Sequence, residues 1–181
     1  MPPLRHRWLI TAAIAGALAP TAQYAYAAEY MGAEAAQRAA FPDATAFEPY
    51  VVGADIKTEI ARDAGRFVVA PQIWRVRAGE GTLGWFIIDE VIGKVELITY
   101  GLALDATGAI KSIDVLAYRE SHGDAIKLAA WRAQFTGKRA ADPVRIDADI
   151  RNISGATLSC RHVTEGVHRL LQIYEKALAR A

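Results

Sequence analysis

Ser154-Gly155-Ala156-Thr157-Leu158-Ser159 stands directly before the longest amphipathic segment of the chain. Small residues let another molecule approach the backbone closely. Ser154, Thr157 and Ser159 offer hydroxyls, and the start of the following helix offers unpaired N–H groups with a partial positive charge. Together these suit a phosphate. The same string also reads as an ordinary N-cap, because Ser and Thr before a helix commonly accept its first N–H groups. Average residue usage places a Ser/Thr-Gly-Ala-Ser/Thr string by chance in roughly one or two of every hundred chains this long, so its meaning depends on context.

A second cluster, Glu120-Ser121-His122-Gly123, follows a strand-like run and precedes a helical one. His122 has two readings, a proton carrier or donor beside a bound group and an exposed turn histidine. Glu120 likewise reads as a ligand contact, or as a solvated or salt-bridged carboxylate near Arg119. His162 and His168 lie six apart, not the three or four that put two ligands on one helix face. Cys160 falls near an apolar stripe and reads as a small core residue rather than a redox thiol. Trp74, Trp85 and Trp131 read as core, with Trp85 or Trp131 free to border a ring. Asp142, Asp147 and Asp149 read as a solvated loop. No residue is assigned a catalytic or metal-binding role.

The elements that must position these clusters are legible in part. Tyr30 to Phe41 is Ala-rich, with Met31, Ala35 and Ala39 at helical spacing, and Pro42 ends it. Asp55 can cap a short helix from Ile56 to Ala64, closed by Gly65. Gln72 to Arg77, Trp85 to Ile92 and Glu96 to Leu104 are rich in β-branched and aromatic residues. Ile98, Tyr100, Leu102 and Leu104 fall on one face of the third. Asp105-Ala106-Thr107-Gly108 is a turn signal, and Lys111 to Tyr118 follows with Ile113, Val115 and Ala117 on one face, which makes a β-hairpin. Asp124 to Gln134 is helical. Ser159 to Ala179 is the clearest helix, with Val163, Val167, Leu170, Leu171, Tyr174 and Leu178 in one stripe and Arg161, Glu165, Arg169 and Lys176 largely off it. Residues 138–153 resist assignment. The order predicts an α+β domain, a mostly antiparallel sheet with packed helices and a long C-terminal helix.

Composition narrows the function classes. Of 181 residues, 52% are hydrophobic and 23% charged, the make-up of an ordinary globular protein. The 21 Lys and Arg against 20 Asp and Glu leave no basic excess to drive nucleic-acid binding. One cysteine excludes an intramolecular disulfide and a Cys-rich zinc site. Arg5 and Arg7, the uncharged run Trp8–Ala19, Pro20 and the Ala25-Tyr26-Ala27 site are the parts of a secretory signal peptide in order. The run is shorter than the ~20 residues a spanning helix needs. Residues 1–27 are thus expected to be a signal peptide and 28–181 the mature domain in the periplasm. An uncleaved membrane anchor is the alternative.

With this context the chain resembles the FMN-binding domain family, whose best-known members are flavin subunits of the sodium-translocating NADH:quinone reductase and of the Rnf complex, with small free-standing exported relatives. The residues that carry the resemblance are Ser154-Gly155-Ala156-Thr157 with the trailing Val163-Thr164-Glu165-Gly166-Val167. Gly84-Trp85, Gly93-Lys94, the 118–123 turn, and Trp131, Gln134, Phe135, Gly137 and Lys138 support it. It covers roughly Gly84 to Leu171. The resemblance implies that 28–181 is an FMN-binding domain and that Thr157 carries FMN through a phosphoester, made by a separate flavin transferase with FAD as donor. Ser154, Gly155, Ala156, Leu158 and Ser159 would surround it, with Glu120, Ser121, His122 and Gly123 beside the ring. The family members within those complexes have Glu-Thr-Pro-Gly at that turn, so this chain departs at Ser121 and His122.

The implied role is an electron-transfer module between redox partners, with a membrane cytochrome or quinol-linked protein as partner. The alternatives are a flavin-dependent reductase of a small substrate and a non-redox periplasmic binding protein in which the small-residue string is only a cap. As a cap, Thr157 would lose about 1 kcal/mol on truncation to alanine.

Overall fold

The structure, a computed structural model, describes residues 28–29, 31–53, 56 and 70–181. The expected signal peptide lies outside the described residues. So does the expected Ile56–Ala64 helix with its caps Asp55 and Gly65, apart from Ile56.

The chain forms one sheet from β1 (Ala28–Glu29), β2 (Ala46–Tyr50), β3 (Gln72–Ala78), β4 (Gly81–Ile92), β5 (Leu97–Asp105) and β6 (Ile110–Tyr118). The order is β1-β6-β5-β4-β3-β2, and every pair is antiparallel. Helix α1 (Ala33–Ala40) covers one face. A short helix α2 (Ala129–Arg132), flanked by 3₁₀ turns at 124–127 and 133–135, and the long α3 (Thr157–Ile173) pack on the other. The α+β expectation is thus met.

β4 shows why the sheet is covered twice. Trp85, Ile87 and Val91 join α3 in one core, whereas Phe86 and Ile88 join Ala36, Phe41 and Leu116 in the other. Side chains alternate along a strand, so a run apolar at both phases needs a layer on each side. β2 has no counterpart among the expected strands. It carries Pro49, which an edge strand tolerates.

Two bulges alter the expected faces of β6. Leu104 pairs with Ile110 while Ala103 pairs with Ser112, and Thr99 pairs with Ala117 while Tyr100 pairs with Val115. Each skipped residue reverses the alternation. The face toward α3 therefore reads Ile110, Ile113, Val115 and Tyr118, and Tyr118 replaces the expected Ala117. In α1 the expected stripe is also displaced. Ala36 and Gln37 are buried and Ala35 and Ala39 exposed, because an Ala-rich segment does not mark its own face and Phe41 anchors it instead. The apolar stripe of α3 is buried throughout, and Cys160 lies fully within it. Burial raises the Cys160 thiol pKa, as suits a core residue. Arg169 departs from its expected place off the stripe. It reaches down to Asp89 Oδ2, which also accepts the Tyr100 hydroxyl at 2.5 Å.

Candidate functional site

At one end of the sheet, three segments meet around a cleft of about 430 Å³. Lys94 and Val95 of the β4–β5 turn form one wall. Glu120, Ser121, His122 and Gly123, just past β6, form the second. Gly155, Ala156, Thr157, Leu158 and Ser159, at the entry of α3, form the third. The volume lies in the range of small-molecule sites. Nine of the ten candidate residues of the sequence line it. Ser154, the tenth, is exposed and immediately adjacent.

The entry of α3 is not capped as a Ser- or Thr-rich start usually is. Ala156 is the N-cap residue, and no side chain caps the leading N–H groups. The leading N–H groups of a helix have no partner within it, so this end keeps its donors and its partial positive charge. Gly155, at φ +84°, adopts a left-handed conformation that favours glycine, and open space lies where a Cβ would stand. Thr157 is the first helical residue. It is exposed, and its Oγ1 accepts a hydrogen bond from Asn152 Nδ2 at 3.1 Å. Sequence reasoning misses Asn152, since a lone loop asparagine carries no signal of which hydroxyl it will meet.

The 120–123 turn is fastened from both sides. Tyr118, aimed at α3 by the second β6 bulge, donates to the His122 carbonyl at 2.5 Å and sits 2.9 Å from Ser159 Oγ. Gly123, at φ +92°, packs so closely that a Cβ would lie 2.7 Å from the Tyr118 hydroxyl and 2.9 Å from Ser159 Oγ. Ser159 is therefore buried and bound to Tyr118 rather than acting as a cap. The His122 ring is exposed at the cleft, without a hydrogen-bond partner among the described residues.

Glu120 neither stands free nor pairs with Arg119. Its Oε1 accepts the backbone N–H groups of Lys94, Val95 (2.6 Å) and Glu96 (2.9 Å). Arg119 instead donates to Thr99 Oγ1 at 2.9 Å. Partial burial opposes ionisation of Glu120, but the three N–H donors outweigh it and hold the carboxyl below its ordinary 4.5. Gly93 makes room, since a Cβ there would lie 2.7 Å from Oε1. From α3, His162 Nδ1 approaches the carbonyl oxygens of Ile92 and Gly93 at 2.6 and 2.7 Å. Nothing in the sequence points to this role of His162, because its partners are backbone atoms 69 and 70 positions away.

Other expected neighbours lie elsewhere. Trp85 and Trp131 are buried and do not line the cleft. Trp85 packs edge-on against Tyr50, and Trp131 packs against Phe135 while donating to the Arg151 carbonyl at 2.9 Å. Gln134 Oε1 accepts the Arg151 N–H at 2.8 Å, and Lys138 pairs with Asp149 at 2.8 Å. These residues brace the loop that leads to Thr157. Asp149 also accepts the N–H groups of Val144 and Arg145, so it organises this loop rather than being merely solvated. Among the described residues no three His, Cys, Asp or Glu side chains converge as metal ligands.

Residues 93–172 match the family described as the FMN-binding domain. A component of the Na(+)-translocating ferredoxin:NAD(+) oxidoreductase complex of Acetobacterium woodii is 29% identical over 92 residues. The match covers 46% of this chain and 43% of that relative, so the chain spans less than half the relative's length.

Proposed function

With residues 93–172 forming a domain of the FMN-binding family, we propose that the chain is an exported electron-transfer flavoprotein whose FMN is held covalently on Thr157. The observation that carries this reading is the state of the Thr157 hydroxyl. It lies exposed in the cleft at the uncapped start of a 17-residue helix, and no side chain caps the N–H groups beside it.

The residues present fit the group. The uncapped N–H groups of α3 and Lys94, which also lines the cleft, are donors for a phosphodiester's charge. Gly155 leaves space beside them. Val95 and Leu158, 73% and 41% exposed, give the cleft apolar surface for a ring. Bound FMN supplies one- and two-electron redox chemistry. The chain's part is to fix that group and limit its contact with water.

Thr157 supplies the bridging oxygen of the phosphoester. A threonine hydroxyl needs activation, and among the described residues Oγ1 hydrogen-bonds the Asn152 amide, which is no base. Attachment by a flavin transferase accounts for this. With FAD as donor, such a transferase would join the FMN phosphate to Thr157 Oγ1 in exchange for the FAD pyrophosphate bond, releasing AMP and taking up the hydroxyl proton. A covalent tether also suits the periplasm, where a dissociable site would empty by mass action at low free FMN. The signal-peptide pattern of residues 1–27 supports export. A membrane cytochrome or quinol-linked protein is the proposed redox partner, in keeping with the complex to which the relative belongs.

The test is in-gel flavin fluorescence of denatured protein after co-expression with an active flavin transferase. Wild type should fluoresce and Thr157→Ala should not, while Thr157→Ser keeps partial attachment and Ser154→Ala and Ser159→Ala keep it. Because Thr157 caps nothing, Thr157→Ala should change stability by less than about 0.5 kcal/mol, as at an ordinary surface position, rather than by the ~1 kcal/mol of a lost cap. A fluorescent Thr157→Ala band moves the attachment to Ser154 or Ser159. A dark wild-type band overturns the covalent reading.

A further inference from the structure

The two walls of the cleft that face each other, the β4–β5 turn and the first turns of α3, are joined directly by a single side chain. His162 Nδ1 lies 2.6 Å from Ile92 O and 2.7 Å from Gly93 O. Carbonyl oxygens only accept, so this nitrogen carries its hydrogen and donates to both. His162 is four residues beyond Leu158, so the two share a face of α3, and Leu158 lines the cleft. The residues next to the bonded carbonyls, Lys94 and Val95, line the opposite wall.

The turn is gripped at both kinds of backbone group. Its N–H groups, from Lys94 to Glu96, go to Glu120 Oε1, and the preceding carbonyls, of Ile92 and Gly93, go to His162. The two grips differ in what they fix. Glu120 ties the turn to the 119–123 segment, which meets the start of α3 through the close packing of Gly123 and, beside it, the Tyr118–Ser159 contact. His162 ties it to α3 itself, five residues from Thr157. We propose that His162 is a positioning residue of the cleft: its bifurcated hydrogen bond sets the wall bearing Lys94 and Val95 against the helix start bearing Thr157, and so holds the cleft closed around the group attached there. This inference rests on the flavin reading of the same cleft. A wall held at both ends keeps its shape before the group arrives, and that shape then excludes water from one side of the ring.

Two readouts test it, one without flavin and one with it. In the flavin-free Thr157→Ala protein, amide exchange is followed over residues 92–96. His162→Leu, which removes the donor, should raise exchange there about tenfold, the weight of one lost hydrogen bond. His162→Asn, whose amide nitrogen stands near the position of Nδ1, should restore protection. In flavinylated protein, iodide quenching of flavin fluorescence should rise several-fold in His162→Leu and return toward wild type in His162→Asn. Should His162→Leu not fold, His162→Gln, whose amide lies one bond further out, replaces it as the perturbing variant. Unchanged exchange overturns the latch. Raised exchange with unchanged quenching overturns the positioning role and leaves a purely structural contact. His162→Asn behaving like the perturbing variant overturns the hydrogen-bond assignment. A wild type that carries no flavin overturns the parent reading and the positioning role with it, while the exchange arm still reports on the latch.

Discussion

The hydroxyl of Tyr118, at the end of β6, stands 2.9 Å from Ser159 Oγ, in the first turn of α3. The same hydroxyl donates to the His122 carbonyl. One phenol thus fastens the 120–123 turn to the helix that bears Thr157, and two walls of the cleft become a single unit. Burial raises the Tyr118 pKa, so the hydroxyl remains a donor through the physiological range.

Tyr118→Phe removes that oxygen and leaves the buried Ser159 hydroxyl and the His122 carbonyl without their partner. The cost should be about 1–3 kcal/mol, the penalty of an unsatisfied buried polar group. Ser159→Ala alone should cost less, since the Tyr118 hydroxyl keeps its bond to His122. Denaturant melts of the two single variants and the double variant should give a coupling of at least about 0.5 kcal/mol. Strict additivity would mean that the two hydroxyls act independently.

Glu120 gives the cleft a pH dependence of known sign. Its carboxyl is held below 4.5, against a burial cost, by the N–H groups of Glu96, Val95 and Lys94. A folded-state pKa below the unfolded value means stability that is present above about 4.5 and lost as pH falls through the lowered folded value. Acid should therefore loosen residues 94–96. Glu120→Gln should loosen them at neutral pH and remove most of the acid-induced change. Amide exchange over 94–96 between pH 3 and pH 6, corrected for intrinsic rates, checks this. A Glu120→Gln protein with the wild-type pH profile would place the titration elsewhere.

His122 is the exposed titratable side chain of the second wall. If its ring meets the flavin, His122→Ala should leave the fold and the attachment intact while moving the flavin midpoint potential or its pH slope, because a nearby donor acts on the charged state of the ring. Stability should change by no more than about 0.5 kcal/mol, as at other exposed positions. A redox titration identical to wild type at several pH values returns His122 to the role of an exposed turn residue whose carbonyl, not its ring, matters.

Export predicts a mature chain that begins at Ala28 or within a residue or two of it. Ala28 and Glu29 pair with Tyr118 and Ala117 at the edge of the sheet, so such a terminus would lie against β6, close to the Tyr118 fastening. Intact mass of protein from the periplasmic fraction is the measurement. A retained Met1 would favour an anchored form.

The small-residue string at 154–159, the turn at 120–123, the β5–β6 hairpin and the apolar stripe of α3 are legible in the sequence because each rests on local order. Small residues before a helix, turn residues after a strand, and spacings of two or three to four show without knowledge of the fold. Position along β6 is less legible. Alternation predicts Ala117 toward the helix, but the bulge between Val115 and Ala117 puts Tyr118 there, and a bulge is decided by the partner strand. The roles of Glu120 and His162 depend wholly on tertiary structure. Their partners are backbone atoms of the β4–β5 turn, 24 to 26 and 69 to 70 residues away, and a backbone N–H or carbonyl has no residue type by which a sequence could announce it. The sequence by itself determined which residues carry hydroxyl, carboxylate and imidazole chemistry, and its resemblance to the FMN-binding domain family singled out the Thr157 hydroxyl as the proposed tether. The tertiary structure decided which of those groups face the cleft and which are spent holding its walls, because hydrogen-bond partners are chosen by distance in space once the strands have found their register.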